Sequence, residues 1–199
     1  EKAIYLPPKK PVRIDVPRYK YFTIRGSGNP NSSFFGECIE ALYAASYAIR
    51  MSYKKGLEPE NFYQYTVYPL EGIWDLSEKA KQSFDGTIDK DELVFILMIR
   101  QPDFVTNEFA ETAKERASEK KKNPLIEQLV FEERTDGKCI QIMHLGSYDD
   151  EHTSFAAMEE FCTDNQLRRT SKRHKEIYIS DPRKVAPEKR KTVLRFEVE

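Results

Sequence analysis

Cysteine and histidine are scarce in this chain, with three of each in 199 residues. Cys38, Cys139 and Cys162 lie far apart among apolar neighbours, and none belongs to a CxxC pair. They read as small buried side chains of a reducing compartment, not as a disulfide framework or a thiolate metal site. His144, His152 and His174 show neither HxxxH nor HExxH spacing, which argues against a zinc centre. An excess of one charge is also missing. Lys+Arg is 32, Asp+Glu is 33, and the net charge is −1. Proteins that track phosphates carry a basic excess, so nucleic acid is not expected as a direct partner. No apolar run approaches the roughly 20 residues that span a bilayer. The longest, Leu93 to Ile99, has the length of a strand. Residues Glu1 to Tyr5 contain no secretory apolar core. The expectation is a cytoplasmic protein with no membrane partner, metal or cofactor.

What is present is a chain of ordinary globular composition, 39% hydrophobic and 33% charged, long enough for one large domain. Residues 1–18 are Pro-rich and read as an extended arm. Tyr19 to Gly26 reads as a strand, followed by a Gly26–Asn31 turn. Ser32 or Ser33 can cap the next helix, where Phe35, Cys38, Ile39, Leu42, Ala45 and Ile49 form one apolar stripe. Phe62 to Leu70 is rich in aromatics and reads as a strand that Glu71–Trp74 extends or bends. Leu93 to Arg100 is apolar on both faces, as in a central strand. Phe104 to Lys122 reads as a polar helix. Leu129–Arg134 and Lys138–Leu145 flank Thr135-Asp136-Gly137, a hairpin signal. Glu151 to Asn165 reads as a helix and Val193 to Val198 as the last strand.

An internal echo organises these elements. Gly26, Ser27 and Phe35 each have an identical residue 120 positions on, at Gly146, Ser147 and Phe155. The order strand, turn, helix, strand, strand occurs twice, which suggests duplication. The expected architecture is α+β. Two strand-helix-strand-strand modules form antiparallel sheets, with helices on one side and a ligand groove at a pseudo-twofold interface. The first module spans about 19–102 and the second about 129–198, with a helix inserted at about 104–122, all within one domain.

The segment His174 to Arg183 carries the most chemistry. In a strand, alternate side chains share a face. His174, Glu176, Tyr178 and Ser180 therefore lie on one face, and Ile177 and Ile179 on the other. An imidazole, a carboxylate and a phenol are grouped together. If that face is buried it is a site, and if it meets bulk water it is an ordinary strand exterior.

Four stretches together resemble the GyrI-like small-molecule-binding family, the effector-binding fold of multidrug-sensing transcription regulators. They are Ile24-Arg25-Gly26-x-Gly28-Asn29-Pro30-Asn31, Tyr68-Pro69-Leu70-Glu71-Gly72-x-Trp74, Gln141 to Glu151, and His174-x-Glu176-Ile177-Tyr178-x-Ser180-Asp181-Pro182-Arg183 with its continuation to Arg195. The likeness covers roughly residues 4–198 and fits the stand-alone branch, without a helix-turn-helix domain. It implies two modules around a central groove for a planar aromatic or amphipathic small molecule. Some stand-alone members are similar to hydrolases of cyclopropane-bearing DNA alkylators of the yatakemycin and duocarmycin type. Other relatives only bind amphipathic or cationic drugs, which is the alternative reading.

Relatives keep an acidic residue at the pocket floor, and Glu176 matches that position. Opening a cyclopropane by water needs a base, a donor for the carbonyl oxygen that becomes a phenolate, and flat walls for the substrate. The expected catalytic set is Glu176 with Tyr148 and Tyr178. Trp74, Tyr65 and Tyr68 are expected as walls, and His144 and His174 as further ligand-binding residues.

Overall fold

The computed structural model describes residues 1–83, 87 and 89–199. In chain order it contains helix α1 (Lys2–Tyr5), strand β1 (Val12–Ser27), α2 (Ser33–Arg50), β2 (Leu70–Leu76), α3 (Glu78–Gln82), β3 (Leu93–Gln101), α4 (Asn107–Lys120), β4 (Val130–Leu145), α5 (Glu151–Asp164), β5 (His174–Tyr178) and β6 (Lys191–Glu197). This is the α+β class, with strand pairs that run antiparallel. No helix among the described residues is long and apolar enough to cross a membrane.

The residues group into two units. One comprises Glu1–Arg18, Glu71–Asp75 and Thr135–Glu199, and the other Tyr19–Leu70 and Leu76–Arg134. In the second, α2 starts where Ser32 Oγ accepts from the Phe35 N–H at 3.3 Å. Its buried face is Cys38, Ala41, Leu42, Ala45, Ser46 and Ile49, the 3.6-residue stripe that drives a helix onto a core. Thr106 caps α4 in the same way. That helix buries only Ala110, Ala113 and Ala117, and these small residues let it lie close on α2. β1 pairs with β3 from Lys20↔Gln101 to Ser27↔Val94.

In the first unit β2, β5, β6 and β4 pair in that order. One face carries Ile140, Ile142, Leu194 and Phe196, which α5 covers with Met158 and Cys162. The opposite face carries Met143, Ile177 and Val193, against which Tyr5 packs. The same opposite face holds a buried ionic network. Lys175 Nζ lies 2.7 Å from Asp136 Oδ2 and 3.1 Å from Glu71 Oε2. Arg195 reaches Asp136 at 3.0 Å and takes Gln141 Oε1 as acceptor at 2.8 Å. The N-terminal segment completes it: Gln141 Nε2 donates to the Ala3 carbonyl and Arg195 Nη2 to that of Ile4. Burial opposes the charge on Asp136, but Lys175 and Arg195 outweigh it and hold the carboxyl below its ordinary range.

Three local readings of the sequence are corrected. The Pro-rich arm begins with the short α1, and β1 starts at Val12, well before Tyr19. Residues 61–69 form no strand. Their rings stack on one another and on Phe104, and this side-chain packing replaces a backbone ladder. Asp136-Gly137 is not a hairpin turn, since β4 runs through it. Gly137 takes φ 66° inside the strand, the geometry of a bulge glycine, while Asp136 joins Lys175 and Arg195.

Candidate functional site

β5 separates two kinds of charge. Lys175 belongs to the ionic network, while His174, Glu176 and Tyr178 lie on the face that α5 covers. In the β2–β5 pair, Gly72 stands opposite Glu176 and Trp74 opposite His174. Gly72 puts no side chain on that face, so the Trp74 indole can cross it. Its Nε1 donates to Tyr178 Oη at 2.8 Å, and the Glu176 carboxyl lies close enough to that phenol to raise its pKa. His174 Nε2 lies 3.1 Å from Glu176 Oε1. The Glu176 side chain is only 12% exposed, so this strand face is not a solvated exterior. Trp74 bonds the Tyr178 phenol and Glu176 lies near it.

The β4–α5 connection adds two groups. The Tyr148 ring meets that of Tyr178 edge-on, with centroids 6.1 Å apart. Glu151, the first residue of α5, is buried, and its Oε1 has no hydrogen-bond partner among the described residues. A helix N-terminus favours a carboxylate by about 0.3–1 kcal/mol. Leaving a charge buried and unpaired costs several kcal/mol. Burial wins: the Glu151 carboxyl is pushed up to about 10 by desolvation first, then by Glu176 and Asp149. Burial thus favours the protonated form of Glu151 at a position near Glu176. Burial also raises both phenols. Glu176 raises that of Tyr178 further, and at Tyr148 the Arg190 guanidinium pulls the other way.

The other expected residues are placed differently. His144 is buried, with Nδ1 2.9 Å from Ser154 Oγ and Nε2 3.0 Å from the Ser147 carbonyl. Both ring nitrogens are engaged, so it braces the connection that carries Tyr148 and Glu151. Tyr65 and Tyr68 fall in the second unit, with rings 6.1 Å apart. There Arg50 lies over Tyr65 at 5.9 Å and Arg100 over Tyr68 at 4.6 Å. Glu151 is the functional candidate that sequence reasoning missed. Its signal is weak, because Asp149, Asp150 and Glu151 look alike and only the last is buried. Burial disfavours the thiolate at all three cysteines, lifting Cys38 to about 11 and Cys139 to about 12 and raising Cys162 as well. A cavity lined by Asp136, Cys139, Lys175 and Arg195 has about 20 Å³ of room, enough for one water and no drug. No group of three or more His, Cys, Asp or Glu among the described residues could hold a metal ion.

The model of the GyrI-like small molecule binding domain matches residues 10–199. The chain is a GyrI-like protein. As such it is a small-molecule-binding domain, which agrees with aromatic rings gathered around a carboxylate. Its fold is close to that of a hydrolase from Listeria innocua, with 34% identity and a TM-score of 0.89 over 100% of this chain and 96% of that one. Another hydrolase of the same organism is 37% identical, with a TM-score of 0.91 over 100% and 96% of the two chains. The C-terminal domain of EcmrR shares the GyrI-like fold at 14% identity and a TM-score of 0.57, over 96% and 97%. No curated protein matches the chain.

Proposed function

We propose that this GyrI-like protein is a hydrolase that opens the cyclopropane ring of yatakemycin- and duocarmycin-type alkylators by adding water. The observation that carries this is a largely buried carboxyl set among aromatic groups. Glu176 is 12% exposed and bonded to His174, beside the Tyr178 phenol that accepts from Trp74, with the buried Glu151 nearby. The likeness to hydrolases of Listeria innocua supports it. In this reading Glu176 takes a proton as the water oxygen attacks the strained ring carbon. The ring C–C bond breaks and its electrons pass through the dienone to the carbonyl oxygen. Tyr148 gives that oxygen a proton, and proton exchange with solvent resets both groups. Tyr178 accepts from Trp74 and faces Glu176, so its part is to orient the carboxylate. Trp74 supplies a flat wall. The neutral Glu151 can donate a hydrogen bond to the incoming water. Alignment and an oriented donor provide most of the acceleration, because the strained ring is already reactive.

The test is incubation with a cyclopropane alkylator, followed by mass spectrometry. A water adduct that forms faster than in buffer is expected. Glu176→Gln should lower turnover by about 10²–10³-fold while ligand binding persists. Unchanged ligand with a raised melting temperature would favour the alternative, a binder that sequesters amphipathic or cationic drugs.

A further inference from the structure

Arg190 sits in the connection between β5 and β6, next to the site. A half-buried arginine usually finds a carboxylate, and Asp149, Asp150, Glu151, Glu176 and Asp181 are all supplied by neighbouring segments. Among the described residues Arg190 forms no ion pair. Its Nε donates to the Val185 carbonyl at 3.3 Å and its Nη2 to that of Pro182 at 3.2 Å. Its guanidinium carbon lies 5.3 Å from the centroid of the Tyr148 ring, within cation–π range. Its own carbonyl accepts from the Gly146 N–H at 3.1 Å. One residue thus ties together the β5–β6 connection and the turn that leads into Tyr148.

We propose that Arg190 is a positioning residue of the site, holding the Tyr148 ring with its guanidinium and keeping that phenol an effective proton donor. The inference rests on the reading of Tyr148 as the donor. The groups facing the phenol are Glu176 of β5, Glu151 of α5, Asp181 of the β5–β6 connection and Arg190 itself. Three are acids, and any negative charge on them resists loss of the phenol proton. Arg190 counters them. Its charge is not matched by a direct carboxylate partner, so its field reaches the ring. A merely structural arginine would need only the carbonyl contacts.

Two variants separate these roles. Arg190→Gln keeps an N–H donor for the loop carbonyls and loses the charge. Arg190→Lys keeps the charge and loses the planar fork. The readout is ¹⁹F NMR of protein carrying 3,5-difluorotyrosine at position 148, a phenol that titrates near neutrality. In Arg190→Gln the midpoint should rise by about one pH unit, and in Arg190→Lys by less than about half of that. With a cyclopropane alkylator, Arg190→Gln should lower kcat about tenfold with KM within about threefold. An unchanged midpoint in a folded Arg190→Gln protein would overturn the role of Arg190, and so would equal shifts in the two variants. Absence of turnover in the wild-type protein would instead defeat the hydrolase reading, and the NMR titration would still decide on Arg190.

Discussion

The two faces of the sheet in the first unit bury charge in opposite ways. On one face Lys175 and Arg195 meet Glu71 and Asp136, and every cation has an anion within 3.1 Å. On the other Glu176 and Glu151 are like groups, and burial is relieved by keeping one of them protonated. Neighbouring residues of β5, Lys175 and Glu176, belong to the two different arrangements. Opposite charges that neutralise each other produce a rigid polar core. A carboxyl buried without a cation keeps its proton, and a like group nearby adds to that. Burial of a charge alone therefore says little about function; the sign of its neighbour says more.

The comparison breaks most visibly at Lys175. Lys175→Met leaves Glu71 and Asp136 buried with one cation fewer, and should cost about 3–5 kcal/mol in urea unfolding. A loss under about 1 kcal/mol would mean the network is not a closed ionic core. The next effect concerns Glu151. A carboxyl raised on folding binds a proton that the unfolded chain has already released above the ordinary carboxylate range. Its contribution thus turns unfavourable as pH climbs from that range towards about 10. Glu151→Gln should remove this slope and stabilise the fold at pH 7 by at most about 3 kcal/mol. Asp136 runs the other way: the stability from its pairing is present above the ordinary range and lost as pH falls through its lowered value. Stability curves of the wild-type and Glu151→Gln proteins from pH 4 to 9 would show whether the two faces differ in sign. The smallest effect is at Tyr178. Tyr178→Phe removes an acceptor of the Trp74 N–H and should cost about 1 kcal/mol. It should also shift the emission of the chain's single tryptophan, and unchanged emission would argue against that hydrogen bond.

Legibility followed periodicity. The alternation of β5 put His174, Glu176 and Tyr178 on one face, and the structure brings them together with Trp74. The stripe of α2 and its serine cap were readable for the same reason: each needs only local spacing. Glu151 was not readable, because its neutrality comes from burial and from Glu176, 25 positions away. Asp136-Gly137 misled because a bulge and a hairpin use the same glycine conformation, and only strand partners tell them apart. The aromatic run near Phe62 misled because β-propensity records how rings fit a pleated surface, and here they fit Phe104 better. His144 reads as a ligand contact from its place before the Gly146 turn; the bonds of its nitrogens to Ser147 and Ser154 needed the fold to be seen.

The short N-terminal segment bears on how this domain should be cut. The family match begins at residue 10, yet the carbonyls of Ala3 and Ile4 complete the bonding of Gln141 and Arg195, and that of Pro8 accepts from the Met143 N–H. A fragment trimmed to the family boundary would lose acceptors that sit inside the fold. Here the limits of sequence likeness and the limits of the folding unit are different lines.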